Sequence, residues 1–117
     1  MTMEADLATL LAIVCPRVYP DFAPGDAGLP RVTYQALGGE TRRFLEGSPA
    51  SLRNTLMQVS VWATTRAEAL SLSRQIEDAI CAATAFIAKP QGEPASTYES
   101  DTGLRGAVQR FEIDSAR

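Results

Sequence analysis

Few residues of this chain of 117 are able to do chemistry, because it contains no histidine. Histidine is the commonest general base and the commonest metal ligand, so a Ser–His or Cys–His nucleophile cannot be assembled. Two carboxylate pairs remain for acid–base catalysis, Glu77 with Asp78 and Glu99 with Asp101. The first pair lies on the outer face of a predicted helix and the second beside a predicted turn. We interpret both as solvated surface charge, and the sequence therefore predicts no catalytic residues and a protein that is not an enzyme.

The two cysteines and one glycine pair are the other candidates for chemistry. Cys15 and Cys81 fall in separate apolar helical patterns without the spacing of a zinc site, so we expect both to pack as small hydrophobic residues in a reducing compartment. Gly38 and Gly39 follow a predicted strand, as a phosphate-binding loop does, but no Lys-Ser or Lys-Thr follows them. The sequence therefore predicts no metal and no cofactor.

Composition and charge indicate a single globular domain over residues 1–117. Hydrophobic residues make up 45% and charged residues 21% of the chain, which is ordinary for a folded domain. The net charge is −3, and the one local concentration of basic residues is Arg42, Arg43 and Arg53, which nearby glutamates dilute. A protein that grips nucleic acid needs a clustered basic face, so we expect no sequence-specific nucleic-acid binding. A weakly acidic surface has one other use. If it lined a ring, DNA could slide through without its phosphates being held.

The N-terminal residues do not predict a signal peptide, since Glu4 and Asp6 stand where a basic region would be needed. The longest apolar run, residues 7–15, is too short to span a bilayer. We therefore expect a soluble protein that is made in the cytoplasm and has no membrane partner.

Apolar periodicity predicts two helices. The first covers residues 3–14 and ends before Pro16, because the residue before a proline is pushed out of the helical conformation. The second begins at Thr65 and Glu68, which form the capping-box pattern of a helix start. We place Ser73 outside its apolar face. That face is formed by Ala69, Leu72, Ile76, Ala79, Ile80 and Ala83.

Alternation of polar and apolar residues predicts four strands, over residues 31–37, 55–63, 96–101 and 105–114. In the second of them Met57, Val59 and Val61 share one face, and Gln58, Ser60 and Trp62 share the other. In the last strand one face carries Gln109, Phe111 and Ile113, and the other face carries Arg110, Glu112 and Asp114. The order is helix, strand, strand, helix, strand, strand. It predicts an α+β fold with an antiparallel or mixed sheet and the helices packed on one face.

The long flexible loop predicted at residues 38–54 is polar, yet it carries Phe44 and Leu45 at its middle. Loops of this length are usually functional or disordered. One interpretation is an arm that reaches a partner, with Arg42 and Arg43 beside a partner's acidic patch. The other is a wide β-hairpin tip with both apolar side chains folded back on the sheet and the arginines solvated. The residues alone leave both open.

Trp62 also allows two interpretations, because it lies on the strand face opposite Met57, Val59 and Val61. It belongs either to a second core layer beneath a helix or to an intersubunit surface, where tryptophan is enriched. Packing within the monomer is the better supported of the two.

In this order, the segments resemble the siphovirus tail completion or head–tail joining family, whose fold is similar to that of lambda-type tail terminator proteins. The matching stretches are LATLLAIV (residues 7–14), VYPDFAP (18–24), LPRVTYQALGG (29–39) and VSVWATTRAEALSLSRQIEDAI (59–80). The segment after Lys89 is the least distinctive.

The resemblance implies a structural, non-catalytic protein of a bacteriophage or prophage, located in the virion tail or neck and in the host cytoplasm during assembly. Its partners would be further copies of itself in a ring, commonly a hexamer, together with the tail tube protein and the head connector proteins. DNA would pass through that ring. The alternative is a small non-catalytic ligand- or peptide-binding module of a bacterial system. The residues expected to contact other subunits or partners are Arg42, Arg43, Phe44, Leu45, Glu46 and Trp62.

Overall fold

A computed structural model of the protein describes residues 2–40 and 52–116. Within that part of the chain two helices and six strands form a mixed sheet with the helices packed against it. The predicted α+β fold and its element order are confirmed, and two short strands, β1 and β4, are added to the prediction. The elements are α1 (Met3–Val14), β1 (Val18–Pro20), β2 (Arg31–Ala36), β3 (Leu52–Ala63), α2 (Arg66–Cys81), β4 (Ile87–Pro90), β5 (Ala95–Glu99) and β6 (Leu104–Ala116).

The sheet is built around the long pair β3 and β6. These strands run antiparallel and pair from Leu52 with Ala116 to Ala63 with Arg105. On the other side of β3 lies β2, antiparallel, and then β1, which is parallel to β2. The far side of β6 is shared, since β5 pairs with its first half and β4 with its second half. The sheet is therefore mixed, with one parallel pair at its edge.

One face of the sheet carries the core. Met57, Val59 and Val61 of β3 and Phe111 and Ile113 of β6 are buried there, as their alternation predicts. Both helices pack over this face, which we name the covered face. Successive side chains of a strand point to opposite sides, so the residues between them lie on the second face, which we name the open face. No helix within residues 2–40 or 52–116 packs on the open face.

Local side chains fix the starts of both helices. The Thr65 hydroxyl accepts a hydrogen bond from the backbone N–H of Glu68 at 3.2 Å, which is the capping interaction expected from the sequence. Thr2 caps α1 in the same way through the N–H of Ala5. The apolar face of α2 is as predicted except at Ser73, which is buried rather than outside the face. Ser73 stands four residues after Ala69 and three before Ile76, so helical spacing places it among them.

Strand β3 begins at Leu52 rather than at Thr55, so it includes residues 52–54, which the sequence prediction assigned to the loop. Its first three residues pair with the end of β6. Directly after β2, the Leu37 N–H donates to the carbonyl of Leu56 at 2.7 Å, and the Leu56 N–H donates to the carbonyl of Gly38 at 2.9 Å. Strands β2 and β3 thus form a hairpin whose tip segment is residues 41–51, which lie outside the described residues. Neither described helix is long and apolar enough to cross a membrane.

Candidate functional site

Trp62 lies on the open face, at the end of β3, where its backbone pairs with Gly106 of β6. A Cβ atom built on Gly106 would stand 2.9 Å from ring carbons Cε3 and Cζ3 of the indole. It would also stand 2.8 Å from Cγ2 of Thr97 on β5. Glycine is therefore the residue that lets the indole lie directly on the neighbouring strand. The indole packs within the monomer, as expected, but against a strand and not beneath a helix, and it stays half exposed.

A cleft of about 300 Å³ runs along the open face beside Trp62. One wall includes Arg31, whose Nη1 donates to the carbonyl of Ala27 at 3.1 Å. The Nε of the same guanidinium is buried and has no hydrogen-bond partner among the described residues. The cleft thus lies between a half-exposed indole and an arginine that is held by the backbone. Its lining residues are Asp21, Phe22, Ala23, Arg31, Thr33, Gln35, Gln58, Ser60, Trp62 and Glu99.

Phe22 stands at the rim of this cleft with 81% of its surface exposed. The preceding residue, Asp21, has a φ of 64°, in the left-handed region that residues other than glycine seldom adopt. Two backbone hydrogen bonds hold this turn, from the Asp21 N–H to the carbonyl of Tyr34 at 2.8 Å and from the Phe22 N–H to the carbonyl of Pro20 at 2.7 Å. The phenyl ring is therefore directed into solvent by an ordered turn attached to β2.

A second concavity lies on the opposite side of the molecule, in the helix layer. This helix groove has a volume of about 400 Å³ between α1 and the end of α2. Asp6 is the one charged residue in its lining, and Ile13 at its edge is 82% exposed. Alanines make the groove, since they leave space where larger side chains would fill it. The lining is Asp6, Thr9, Leu10, Ile13, Ala79, Ala82, Ala83, Thr84, Ala85 and Phe86.

The polar groups singled out from the sequence are dispersed. Glu77 accepts a hydrogen bond from Nε2 of Gln109 on β6, while its neighbour Asp78 is exposed. Glu99 accepts from the hydroxyl of Thr102 at 2.7 Å within the β5–β6 turn. No group of three or more possible metal ligands comes together in residues 2–40 and 52–116. What the described residues offer is contact surface.

The two cysteines differ, which corrects one expectation. Cys15 is buried and its thiol donates to the carbonyl of Pro30 at 3.3 Å, so it packs in the core as predicted. Cys81 is exposed at the end of α2, so the prediction that it packs in the core is wrong. Partial burial raises the pKa of the Cys81 thiol, and the carboxylates of Glu77 and Asp78 raise it further. A raised pKa keeps the thiol protonated, and hence weakly nucleophilic, at neutral pH.

The hairpin carries most of the predicted contact residues, and they lie beyond its described part. Arg42, Arg43, Phe44, Leu45 and Glu46 all belong to the tip segment, outside residues 2–40 and 52–116. Described residues on both sides of the tip segment are hydrogen-bonded. The Glu40 N–H donates to Oδ1 of Asn54 at 2.9 Å, and Nδ2 of Asn54 donates to the carboxylates of Glu112 and Asp114, each at 3.0 Å.

Arg53, part of the basic concentration noted in the sequence, pairs with Glu4 of α1 at 2.8 Å. This ion pair ties the start of β3 to the start of α1 and removes Arg53 from the basic group. The basic concentration that remains is Arg42 and Arg43 of the tip segment.

The described part of the chain is an α+β body with one concavity on the open face and another in the helix layer. The family model described as Tail completion protein gp17 matches residues 3–114, which is nearly the whole chain, and the protein belongs to that family. It is thus a structural protein of the phage tail, as the resemblance in segment order predicts. No curated protein matches the chain.

Proposed function

We propose that this protein completes the phage tail by assembling into a ring at the end of the tail tube, where the head connector docks. The observation that carries the proposal is the family match, which covers both helices, the first five strands and all but the last two residues of β6. In this role the protein works by binding alone, with further copies of itself, the tail tube protein and the head connector proteins as its partners. A hexamer is the ring size that we expect.

The described surface supports a role in assembly. A ring requires a heterologous contact, in which two different patches of the same chain meet in neighbouring subunits. Two different concavities support such a contact, the open-face cleft with Trp62 and Phe22 and the helix groove with Ile13. The net charge of −3 suits a channel through which DNA slides, because the phosphates are not held by a basic lining.

Native mass spectrometry over a range of protein concentrations tests the ring directly. We expect a closed oligomer that grows from the monomer as the concentration rises, alone or on purified tail tubes. A protein that stays monomeric under both conditions, and instead retains a small ligand or peptide, would contradict the proposal and favour a binding module. In the phage that encodes this protein, loss of the gene should leave filled heads and tails that do not join, visible by electron microscopy.

We propose that the tip segment of the β2–β3 hairpin makes one of the contacts with a neighbour or with the docking partner. The supporting observations are that it connects the paired strands β2 and β3 and that its sequence places the apolar pair Phe44 and Leu45 between charged residues. The double substitution Phe44→Ser with Leu45→Ser should lower the yield of joined virions, because the contact loses its apolar part. Ile87→Ser is the matched control, since it also removes an exposed aliphatic side chain, from β4. Unchanged yield in the double variant would remove the tip segment from the assembly contact.

A further inference from the structure

We infer that Phe22 of one subunit inserts into the helix groove of a second copy of this chain, and that this contact builds the ring. The inference rests on the proposed function and names the residues that would join neighbouring subunits. A few residues carry most of the binding energy at a protein interface, and aromatic side chains buried in pockets are common among the residues at its core. The described residues offer one such side chain and one such pocket.

Phe22 is suited to insertion because its ring is exposed and its backbone is already ordered. The turn at Asp21 and two backbone hydrogen bonds hold the residue, so little conformational entropy is lost when the ring binds. Tyr98 is the other strongly exposed aromatic residue in the described chain, but the guanidinium of Arg105 already lies 4.2 Å from the centre of its ring. Among the described residues, Phe22 is therefore the most exposed aromatic side chain, at 81%.

The helix groove is suited to receive an aromatic ring. Its lining is apolar apart from Asp6 and a few hydroxyls, and Leu10 and Phe86 form part of its wall. Its volume of about 400 Å³ lies at the lower end of the range of roughly 300–1,000 Å³ that is typical of ligand pockets. A single large side chain with its neighbours fits this space.

The position of the two features determines the kind of contact. Phe22 borders the open-face cleft, whereas the groove lies in the helix layer over the covered face. A subunit therefore cannot place its own Phe22 in its own groove, because the sheet stands between them. A two-fold axis brings the same surface patch of both subunits together. Phe22 and the helix groove do not share a patch, so a two-fold dimer cannot join them. The contact must be head-to-tail, and a head-to-tail contact that closes produces a ring.

Two single substitutions separate the two halves of the contact. Phe22→Asp removes the aromatic ring and keeps the groove, while Ala82→Arg obstructs the groove and keeps the ring. Both positions are exposed, so both variants should fold, which circular dichroism and thermal unfolding will verify. Ile87→Ser is the control, because it removes an exposed side chain outside both surfaces.

Analytical ultracentrifugation of the variants, alone and mixed, is the test. Each of the two variants alone should remain monomeric where the wild type associates, with the apparent dissociation constant raised at least about tenfold. An equimolar mixture should give a dimer and nothing larger, because it contains one intact ring–groove pair per two chains. Association of the control should equal that of the wild type.

Two other outcomes separate this inference from the proposed function. If the wild type associates and Phe22→Asp associates equally well, the inference is overturned while the ring stands. If the wild type stays monomeric at every concentration, both alone and with tail tubes, the ring itself is rejected and the inference with it.

Discussion

Alternate residues of the same two strands, β3 and β6, form the two faces of this pair. The faces differ in the burial and the polarity of their side chains. The covered face presents buried apolar side chains such as Met57 and Phe111 to the helices. The open face presents Gln58 and Arg110, which lie on adjacent strands and share a hydrogen bond of 3.3 Å. Folding energy is therefore concentrated on one face. On the open face, exposed positions such as Arg110 should tolerate substitution with little loss of stability.

The largest expected effect tests the covered face. Phe111→Ala should lower the free energy of unfolding by about 3–5 kcal/mol, because it opens a cavity beneath the helices. Phe111 is fully buried in β6, whereas its neighbour Arg110 is exposed on the open face. Arg110→Ala is the matched control and should change the free energy by less than about 0.5 kcal/mol. Urea unfolding measures both. Equal losses in the two variants would contradict the division of roles between the faces.

A smaller effect identifies the one place where we expect the open face to be intolerant. Gly106→Ala should destabilise the protein by about 1–3 kcal/mol, because the new Cβ stands 2.9 Å from the indole of Trp62. Gly25→Ala is the control, since a Cβ there meets nothing within 4 Å. It should be neutral or slightly stabilising.

A double-mutant cycle with Trp62→Ala shows whether the indole is the cause of that loss. In the Trp62→Ala background the added cost of Gly106→Ala should shrink, because the clashing ring is gone. Additive losses would mean that Thr97, the other close neighbour, is responsible.

The smallest effect concerns the polar exception on the covered face. Gln109 is buried, and its Nε2 donates to Glu77 and to the carbonyl of Gly92 at 2.9 Å, while its Oε1 has no partner among the described residues. Gln109→Leu removes two hydrogen bonds and one unsatisfied oxygen, so the opposing contributions should nearly cancel, within about 1 kcal/mol. Thermal unfolding measures the difference. A loss above about 2 kcal/mol would show that the link from β6 to α2 and the β4–β5 turn is essential to the fold.

The sequence was sufficient for elements that carry several periods of their own pattern. The alternation in β3 and β6 assigned Met57 and Phe111 to the covered face, and Thr65 marked the start of α2. The three-residue β1 and four-residue β4 are too short to show a period, and they exist because longer strands offer them an edge. Local pattern also fails at Cys81, whose helical position is apolar in spacing but lies where α2 ends at the surface.

The candidate surfaces were less predictable than the fold. Trp62 was singled out from the sequence. Its contact with Gly106, however, depends on the register of two strands whose paired residues are 44 positions apart in the sequence. The helix groove joins Leu10 and Ile13 to residues 79–86, and Phe22 owes its exposure to a turn conformation at Asp21. None of these relations has a local signature. The predicted contact residues Arg42 to Glu46 lie outside the described residues and remain a prediction.

The sharing of β6 by three other strands has a consequence for synthesis in the cell. Strand β3 leaves the ribosome some forty residues before its long partner, and β4 and β5 also precede the strand on which both of them pair. The pairs of β6 with β3, β4 and β5 therefore cannot form until β6 has emerged from the exit tunnel. At elongation rates of about 5–20 residues per second, the edge of β3 that pairs with β6 stays without its partner strand for seconds on each nascent chain. We therefore expect ribosome-associated chaperones to bind nascent chains of this protein during that interval.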